Sequence, residues 1–449
     1  MSDLMDTGAL LERGRRLVDA ARKAGADAAD VMAVRGVSVG VQIREGQVES
    51  SERSEGDDLG LRVFVGRRSA SVSSNDPRED VAALAERAVA IARVAPEDPY
   101  ARLADPADLA TQWPDLDLID PVMTEVGDLE GFARRAEAAA LAVPGVTKSG
   151  GAGAGAGIGG FALVTSTGFE GATLGSSTSF SVTAIAGEGT GMERDYDYSA
   201  VRHRADLADP DDIGRSAGER AIRRLNPRKV DTRKVPVVFD PRTAGSFPSY
   251  LASAANGQSV ARKTSFLREK LGQRVFREGV RIVDDPLRRR GLRSRPFDGE
   301  GVAARPLILV EDGILASWLL DTATAAELGL KTTGHASRGT GGPPSPGPTN
   351  LHLAAGTASP AEMIAAIKDG LYVTDMIGSG VNMVTGDYSR GCSGYWIENG
   401  ALAYPVAEIT IAGNLVDMFA NLTPANDLVF RYGTDAPTVL IEGLTVAGR

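Results

Sequence analysis

The chain has 449 residues, more than one hydrophobic core usually serves, so two or three domains are expected. With 43% hydrophobic and 24% charged residues it is globular in composition and has ample apolar material for a core. A net charge of −10 weighs against direct contact with nucleic acid, which needs a basic face, and no apolar run reaches the about 20 residues that span a bilayer.

Residues 10–25 carry Leu10, Leu11, Leu17, Val18 and Ala21 at helical spacing, with Gly25 as a stop. The period then falls to two. Residues 30–34, 37–43 and 47–49 alternate, and Glu45-Gly46 marks a turn. Residues 59–65 and 69–73 form a further pair around Gly66. Residues 80–94 return to helix, with Pro77 near the start and Pro96 past the end. Helix, four strands and helix predict an antiparallel sheet covered on one face.

Residues 100–121, rich in Pro and Asp, read as an exposed connection, and 124–143 as a helix ended by Pro144-Gly145. Residues 150–160 are almost all Gly and Ala and contain Gly155-x-Gly157-x-x-Gly160. A dinucleotide site would need a helix opening directly after that turn, and a β-like run follows instead. The expectation is a flexible hairpin near 150–160. Residues 175–187 alternate as a strand, and 210–225 form a helix closed by Asn226-Pro227.

A short basic linker at 228–234 marks the expected boundary between an N-terminal domain, 1–229, and a C-terminal domain, 230–449. Beyond it the pattern predicts a strand at 235–241 and a helix at 243–255. Strands follow at 280–283, 307–310 and 314–320, with Asp312-Gly313 as a hairpin turn. Residues 323–328 and 360–368 read as short helices. The Gly/Pro-rich stretch 339–349 reads as irregular: a cover over a channel, a partner-facing loop, or plain surface. Two apolar runs, 395–397 and 409–411, flank Asn399-Gly400 and read as strand, tight turn and return strand. The fold class expected is α+β, an antiparallel sheet with helices followed by a β-rich C-terminal domain.

The stretch 386–415, GDYSRGCSGYWIENG followed by YPVAEITIAGNL, resembles the C-terminal signature of the TldD/PmbA family, in its PmbA/TldE branch. Residues 256–273, NGQSVARKTSFLREKLGQ, and the N-terminal segment through VQIREGQVESSERSEGDDLGLRVFVGRRSASVSSND carry the same resemblance. The resemblance implies a paired system. One subunit, TldD, is a zinc peptidase with His-Glu-x-x-x-His on the first C-terminal helix and a Cys ligand near the C-terminus. Its partner, TldE, has no metal. This chain has three histidines, His203, His335 and His352, and none falls where that motif belongs. Counting back from Arg262-Lys263 puts the two ligand positions near Ser249 and Ala254, and the Cys position at or near Tyr432-Gly433.

What the resemblance implies is therefore a subunit without catalytic or metal-binding residues of its own, with zinc in a TldD-like partner. It would form a heterodimer with that partner, or a homodimer, and act on extended, unfolded or modified peptide. Candidate peptide contacts are Arg262 and Lys263, His335, and Gly391, Cys392, Ser393 and Gly394. Each has a plainer alternative: a solvated helix end for the two cations, a hydrogen-bonded loop histidine for His335, and a small residue packed in a turn for Cys392. His203, between two arginines, reads as solvated, and His352 as pointing to a polar face. Two other functions stay open. One is a self-sufficient hydrolase built on Cys392 and His335. The other is a protein-binding module of the DNA-gyrase-modulator kind. The single cysteine rules out an internal disulfide, and Met1-Ser2-Asp3 leads into a helical pattern without a signal-peptide profile, so a cytoplasmic protein is expected.

Overall fold

The structure, a computed structural model, describes residues 6–76 and 80–448. The chain opens with α1 (Thr7–Lys23), whose first turn is capped by Asp6 accepting the Ala9 N–H at 3.0 Å. Next come β1 (Ala28–Arg44), β2 (Gln47–Val65) and β3 (Arg68–Ser74), then α2 (Val81–Val94) and α3 (Val126–Leu141). β4 (Val146–Thr165), β5 (Glu170–Ala186), β6 (Glu193–Val201) and α4 (Pro210–Arg223) complete this part. The strands form one antiparallel sheet in the order β3-β2-β1-β4-β5-β6. Pro77, expected near the start of α2, lies outside the described residues.

The expected four strands before α2 are three. The runs at 30–34 and 37–43 belong to β1, and those at 47–49 and 59–65 to β2. The Gly/Ala stretch 150–160 is not a hairpin but the interior of β4, paired with β1 on one side and β5 on the other. Neighbouring backbone explains some of its glycines. A Cβ at Gly160 would stand 1.9 Å from the Thr173 carbonyl oxygen.

All four helices cover one face. α1 and α2 pack on Val31, Ala33, Leu61 and Val164, and α3 and α4 on Val41, Ile43, Ala152 and Phe180. Part of the other face meets the C-terminal half through Leu163, Phe169 and Phe297. Beside that contact, Gly36, Ser38, Gly157, Gly159 and Ser177, with Val34 and Asp58, line a shallow hollow of about 410 Å³.

The C-terminal half begins with β7 (Arg233–Phe239), α5 (Pro241–Ala244), α6 (Ser246–Ala254) and α7 (Gly257–Ala261). Short elements follow: β8 (Ile282–Asp284), β9 (Leu307–Glu311), β10 (Ile314–Leu315), α8 (Thr322–Glu327), β11 (Ala336–Ser337), β12 (Ser345–Pro346), β13 (Leu351–Leu353) and α9 (Pro360–Ala365). The strand expected at 314–320 ends at Leu315; Trp318, Leu319 and Leu320 go on as buried coil. Then come β14 (Asp369–Ile377), β15 (Asp387–Glu398), β16 (Ala401–Asn414), α10 (Leu415–Ala420), β17 (Leu422–Pro424), β18 (Thr434–Asp435) and β19 (Val439–Ala447). One sheet runs β16-β15-β14-β7-β19-β17, and β16 also pairs with β19, so it closes into a barrel around Phe239, Trp396, Ile411 and Val446. A second sheet runs β10-β9-β8-β13-β18. The fold is α+β with a β-rich C-terminal half, as the sequence patterning predicts. Among the described residues, no helix is long and apolar enough to cross a membrane.

A buried ionic cluster ties the halves together. Asp30 and Arg62 face each other across β1 and β2, and Arg62 Nε donates to Asp30 Oδ2 at 3.0 Å. From the other half, Arg338 Nη1 donates to Asp30 Oδ1 at 2.6 Å, and Glu300 lies 3.7 Å from Arg62. Burial alone would raise the Asp30 carboxyl; Arg338 and Arg62 together hold it below the ordinary range.

Candidate functional site

A cleft of about 570 Å³ lies between β6 and the α5–α6 region. One wall comes from β6, where Asp195-Tyr196-Asp197-Tyr198 alternates. The aspartates are buried, and the two tyrosines stand on the cleft side with ring centroids 6.4 Å apart. Arg242 donates to Asp195 Oδ1 at 2.9 Å and to the Tyr196 carbonyl at 3.1 Å. Arg431 donates to Asp197 Oδ1 at 2.8 Å and also to the Tyr198 carbonyl. Burial would raise the Asp195 carboxyl, but Arg242 and Arg224 bring it below the ordinary range. Tyr432 closes on Tyr198 at 5.4 Å, and burial raises both phenols, keeping them neutral.

The opposite wall is α6. Ser249 and Ser253, four residues apart, share the face toward the cleft. Their hydroxyls donate back to the carbonyls of Gly245 at 2.9 Å and Ser249 at 3.0 Å. Asn256, Arg293, Pro346 and Pro348 complete the lining. The 339–349 stretch is thus partly a cleft wall, held where Asn256 Nδ2 donates to the Pro346 carbonyl at 2.7 Å.

The two positions marked by resemblance, Ser249 and Tyr432, therefore meet in one cleft. Ala254 does not join them; it turns wholly into the core, and Ser253 takes the cleft-facing place. None of the lining side chains is His, Cys, Asp or Glu. Among the described residues, no group of three or more such side chains is disposed to hold a metal ion. The cations Arg242 and Arg293 would oppose a divalent ion here, so the residues of this cleft do not fit a zinc site.

The sequence-marked contacts lie elsewhere. Arg262 and Lys263 are exposed at the end of α7 and do not line the cleft. His335 is wholly buried. Its Nδ1 is 2.7 Å from the Thr333 carbonyl and its Nε2 3.1 Å from Asp284 Oδ2, so it cannot touch a ligand from this position. Cys392 is 1% exposed, and burial pushes its thiol up to about 12, with Asp375 adding to the effect and Arg390 opposing it. Ser393 is buried and accepts from Arg224 Nη2 at 2.9 Å. Gly391 and Gly394 sit in β15, which pairs with β14 on one side and β16 on the other, so this stretch is not an exposed sheet edge. His203 is not solvated either. Only 6% exposed, it lies with Nε2 2.9 Å from the Asp117 carbonyl. His352 is half-buried against Phe430.

The sequence reading missed Tyr196, Tyr198 and Arg242. The signal for the first two was the Asp-Tyr-Asp-Tyr alternation at 195–198, a period-two pattern with acids on one side and aromatics on the other.

Comparison with known proteins agrees with this architecture. Three family models match: PmbA/TldA metallopeptidase domain 1 over residues 29–92, the central domain over 116–225, and the C-terminal domain over 232–448. The chain is 38% identical to the metalloprotease PmbA of Escherichia coli O157:H7, over 94% of this chain and 93% of that protein. The chain belongs to the PmbA/TldD metallopeptidase family. A PmbA homologue of Haemophilus influenzae is 37% identical over 96% of this chain and 94% of its own length. Among solved structures, a Bacteroides thetaiotaomicron protein described as a candidate modulator of DNA gyrase superposes with a TM-score of 0.90. It is 27% identical and covers 99% of this chain and 100% of its own. TldE of Thermococcus kodakarensis superposes with a TM-score of 0.85 over 97% of this chain and 99% of its own; at 20% identity that likeness concerns the fold.

Proposed function

We propose that this chain is the non-catalytic member of a two-subunit cytoplasmic peptidase that handles unfolded or modified peptides. Its partner would be a family member carrying the His-Glu-x-x-x-His zinc motif. The chain would supply part of the wall of the substrate chamber. The observation that carries the reading is the lining of the α6 cleft. Serines, tyrosines and arginines occupy the place where the resemblance calls for zinc ligands, and none of them is a ligand type that activates a metal-bound water.

A second feature supports the peptide part. β3 pairs with β2 only from Leu59 to Val65, so residues 47–58 of β2 pair with β1 alone. An extended chain added there would be held through its backbone, with little regard to side chains. The Gly/Ser face of the same sheet beside it presents few groups that discriminate. A hydrolase built on Cys392 and His335 finds no support: neither reaches solvent, and the thiol is held in its neutral form.

The test is zinc content and peptide cleavage of the purified chain, alone and co-purified with a relative bearing the zinc motif. We expect well below one zinc per chain and no cleavage alone, with cleavage appearing in the pair. Stoichiometric zinc or cleavage by the chain alone would overturn the proposal.

A further inference from the structure

A second cleft, of about 400 Å³, opens beside the first. Gly433 is in its wall, and a Cβ at Gly433 would meet Arg293 of the first cleft at 3.2 Å. It originates in the run Arg288-Arg289-Arg290, a local concentration of positive charge in a chain of net charge −10. Its lining includes five arginines and two aspartates. Both aspartates are engaged. Asp206 pairs with Arg290 at 3.0 Å, and Asp435 Oδ1 accepts the N–H groups of Arg431 and Tyr432 at 2.8 and 2.7 Å. Arg289 and Arg290 both bind Asp117, and Arg431 binds Asp197.

Arg202 and Arg288 are different. The Arg202 guanidinium donates to the carbonyls of Gly291 at 3.2 Å, Ser176 at 3.0 Å and Leu292, and to no carboxylate among the described residues. The Arg288 guanidinium carbon lies over the Phe430 ring, 3.0 Å from its centroid, in a close cation–π contact. His352 packs edge-on against the same ring at 5.1 Å. No ion pair or hydrogen bond among the described residues engages the Arg288 guanidinium; Asp285 and Asp435 act on it only through charge. A guanidinium stacked through its face keeps its in-plane N–H groups free, in the fork geometry that takes a carboxylate bidentately.

We propose that the Arg288 cleft is a carboxylate site for a peptide chain, taking its C-terminal carboxylate or a Glu or Asp side chain. The proposal rests on the peptide reading above and adds a polar anchor to it. Arg202 supplies fixed positive charge and Phe430 orients Arg288, while Asp285 and Asp435 act on Arg288 through charge without occupying its N–H groups. The sequence-marked pair Arg262 and Lys263 lies outside both clefts and is not this anchor.

The experiment is fluorescence anisotropy on the full chain with three labelled octapeptides otherwise free of ionisable side chains. One has a free C-terminus, one is amidated, and one is amidated with Glu as its last residue. We expect one or both acidic peptides to bind about tenfold more tightly than the neutral amide. Which of them does so identifies the source of the carboxylate. Arg288→Gln should erase the preference. Phe430→Leu, which removes the ring under Arg288 together with the His352 edge contact, should weaken it, with folding of both variants checked by urea midpoint. The proposal falls if the parent shows no preference, if Arg288→Gln keeps it, or if none of the peptides binds. It also falls if a single-stranded oligonucleotide binds more tightly in an Arg288-dependent way. Failure of the subunit reading is registered separately, by zinc and cleavage in the isolated chain, which leaves the Arg288 comparison intact.

Discussion

Replacing Glu300 by Gln should flatten the pH dependence of stability between about pH 4.5 and 7. Glu300 is 3% exposed. Its Oε2 accepts the Thr322 N–H at 2.8 Å, and Arg62 is 3.7 Å from its other oxygen. Burial pushes its carboxyl up to about 7, Arg62 opposes this, and Asp298 and Asp321 reinforce it. The native chain therefore keeps this proton to higher pH than the unfolded chain, which releases it near the ordinary carboxylate value. Stability from the group is complete below that value and is lost as pH rises through about 7. With 1.36 kcal/mol per unit over roughly 2.5 units, the loss is about 3 kcal/mol. Glutamine mimics the protonated acid and can still accept from Thr322. Urea midpoints at pH 5, 6, 7 and 8 should show Glu300→Gln close to the parent at pH 5 and up to about 3 kcal/mol more stable at pH 8. Asp298, raised in the same sense by burial, leaves a residual slope. Asp30 contributes with the opposite sign and only at lower pH, because its arginine partners hold it down. A variant whose stability falls with pH as steeply as the parent's would refute the argument.

The two glycines of β15, Gly391 and Gly394, should part company on substitution. A Cβ at Gly394 would stand 1.9 Å from the Tyr372 carbonyl, whereas one at Gly391 meets nothing nearer than 3.6 Å. Gly394→Ala should lose upward of about 3 kcal/mol or fail to fold, while Gly391→Ala stays within about 1 kcal/mol, read by urea midpoint. Cys392→Ala should leave the cleavage rate of the proposed two-subunit peptidase unchanged, and the parent thiol should resist alkylation at pH 8 in the folded state; rapid labelling would contradict its burial. His335→Ala leaves Asp284 buried without its imidazole, so we expect a loss of roughly 3 kcal/mol in thermal or urea unfolding. A neutral result there would mean that the pair is not what holds that loop.

Turns were legible in the sequence because their causes are local. Glu45-Gly46, Asp312-Gly313 and Asn399-Gly400 all adopt positive φ at both positions, as such dipeptides readily do. Helix starts were legible within a few residues for the same reason, with Asp6 and Asp80 capping them. The Gly/Ala run of β4 was not legible, because glycine has little strand preference of its own. Its conformation is imposed by β1 and β5 on its two sides, which arrive from distant parts of the chain. The β1–β2 turn has a similarly distant support. Glu137 on α3 accepts the N–H groups of Glu45 and Gly46 at 2.9 and 2.7 Å, and nothing in the local pattern announces that contact. Ser249 and Tyr432 could be marked by resemblance, but their meeting with Tyr196 and Tyr198 depends on β6 docking against the other half. His335 and Cys392 attracted notice as rare reactive types. Burial, which one-dimensional spacing does not report, removes both from contact with a ligand.

The two ends of the N-terminal sheet differ in what they permit. At β6, carbonyls that an incoming strand could use are occupied by guanidiniums, Arg242 on Tyr196 and Arg431 on Tyr198. These same arginines pair with the buried Asp195 and Asp197, and Arg224 also reaches Asp195 at 3.3 Å. Strand addition at β6 is thereby blocked by the same groups that shape the tyrosine wall. At β2, residues 47–58 keep an open side, and Glu49, Glu52, Arg53 and Glu55 put charge there of the kind that discourages another copy of the chain. Under the proposed function, an extended peptide added to this sheet would therefore lie along β2 and not along β6.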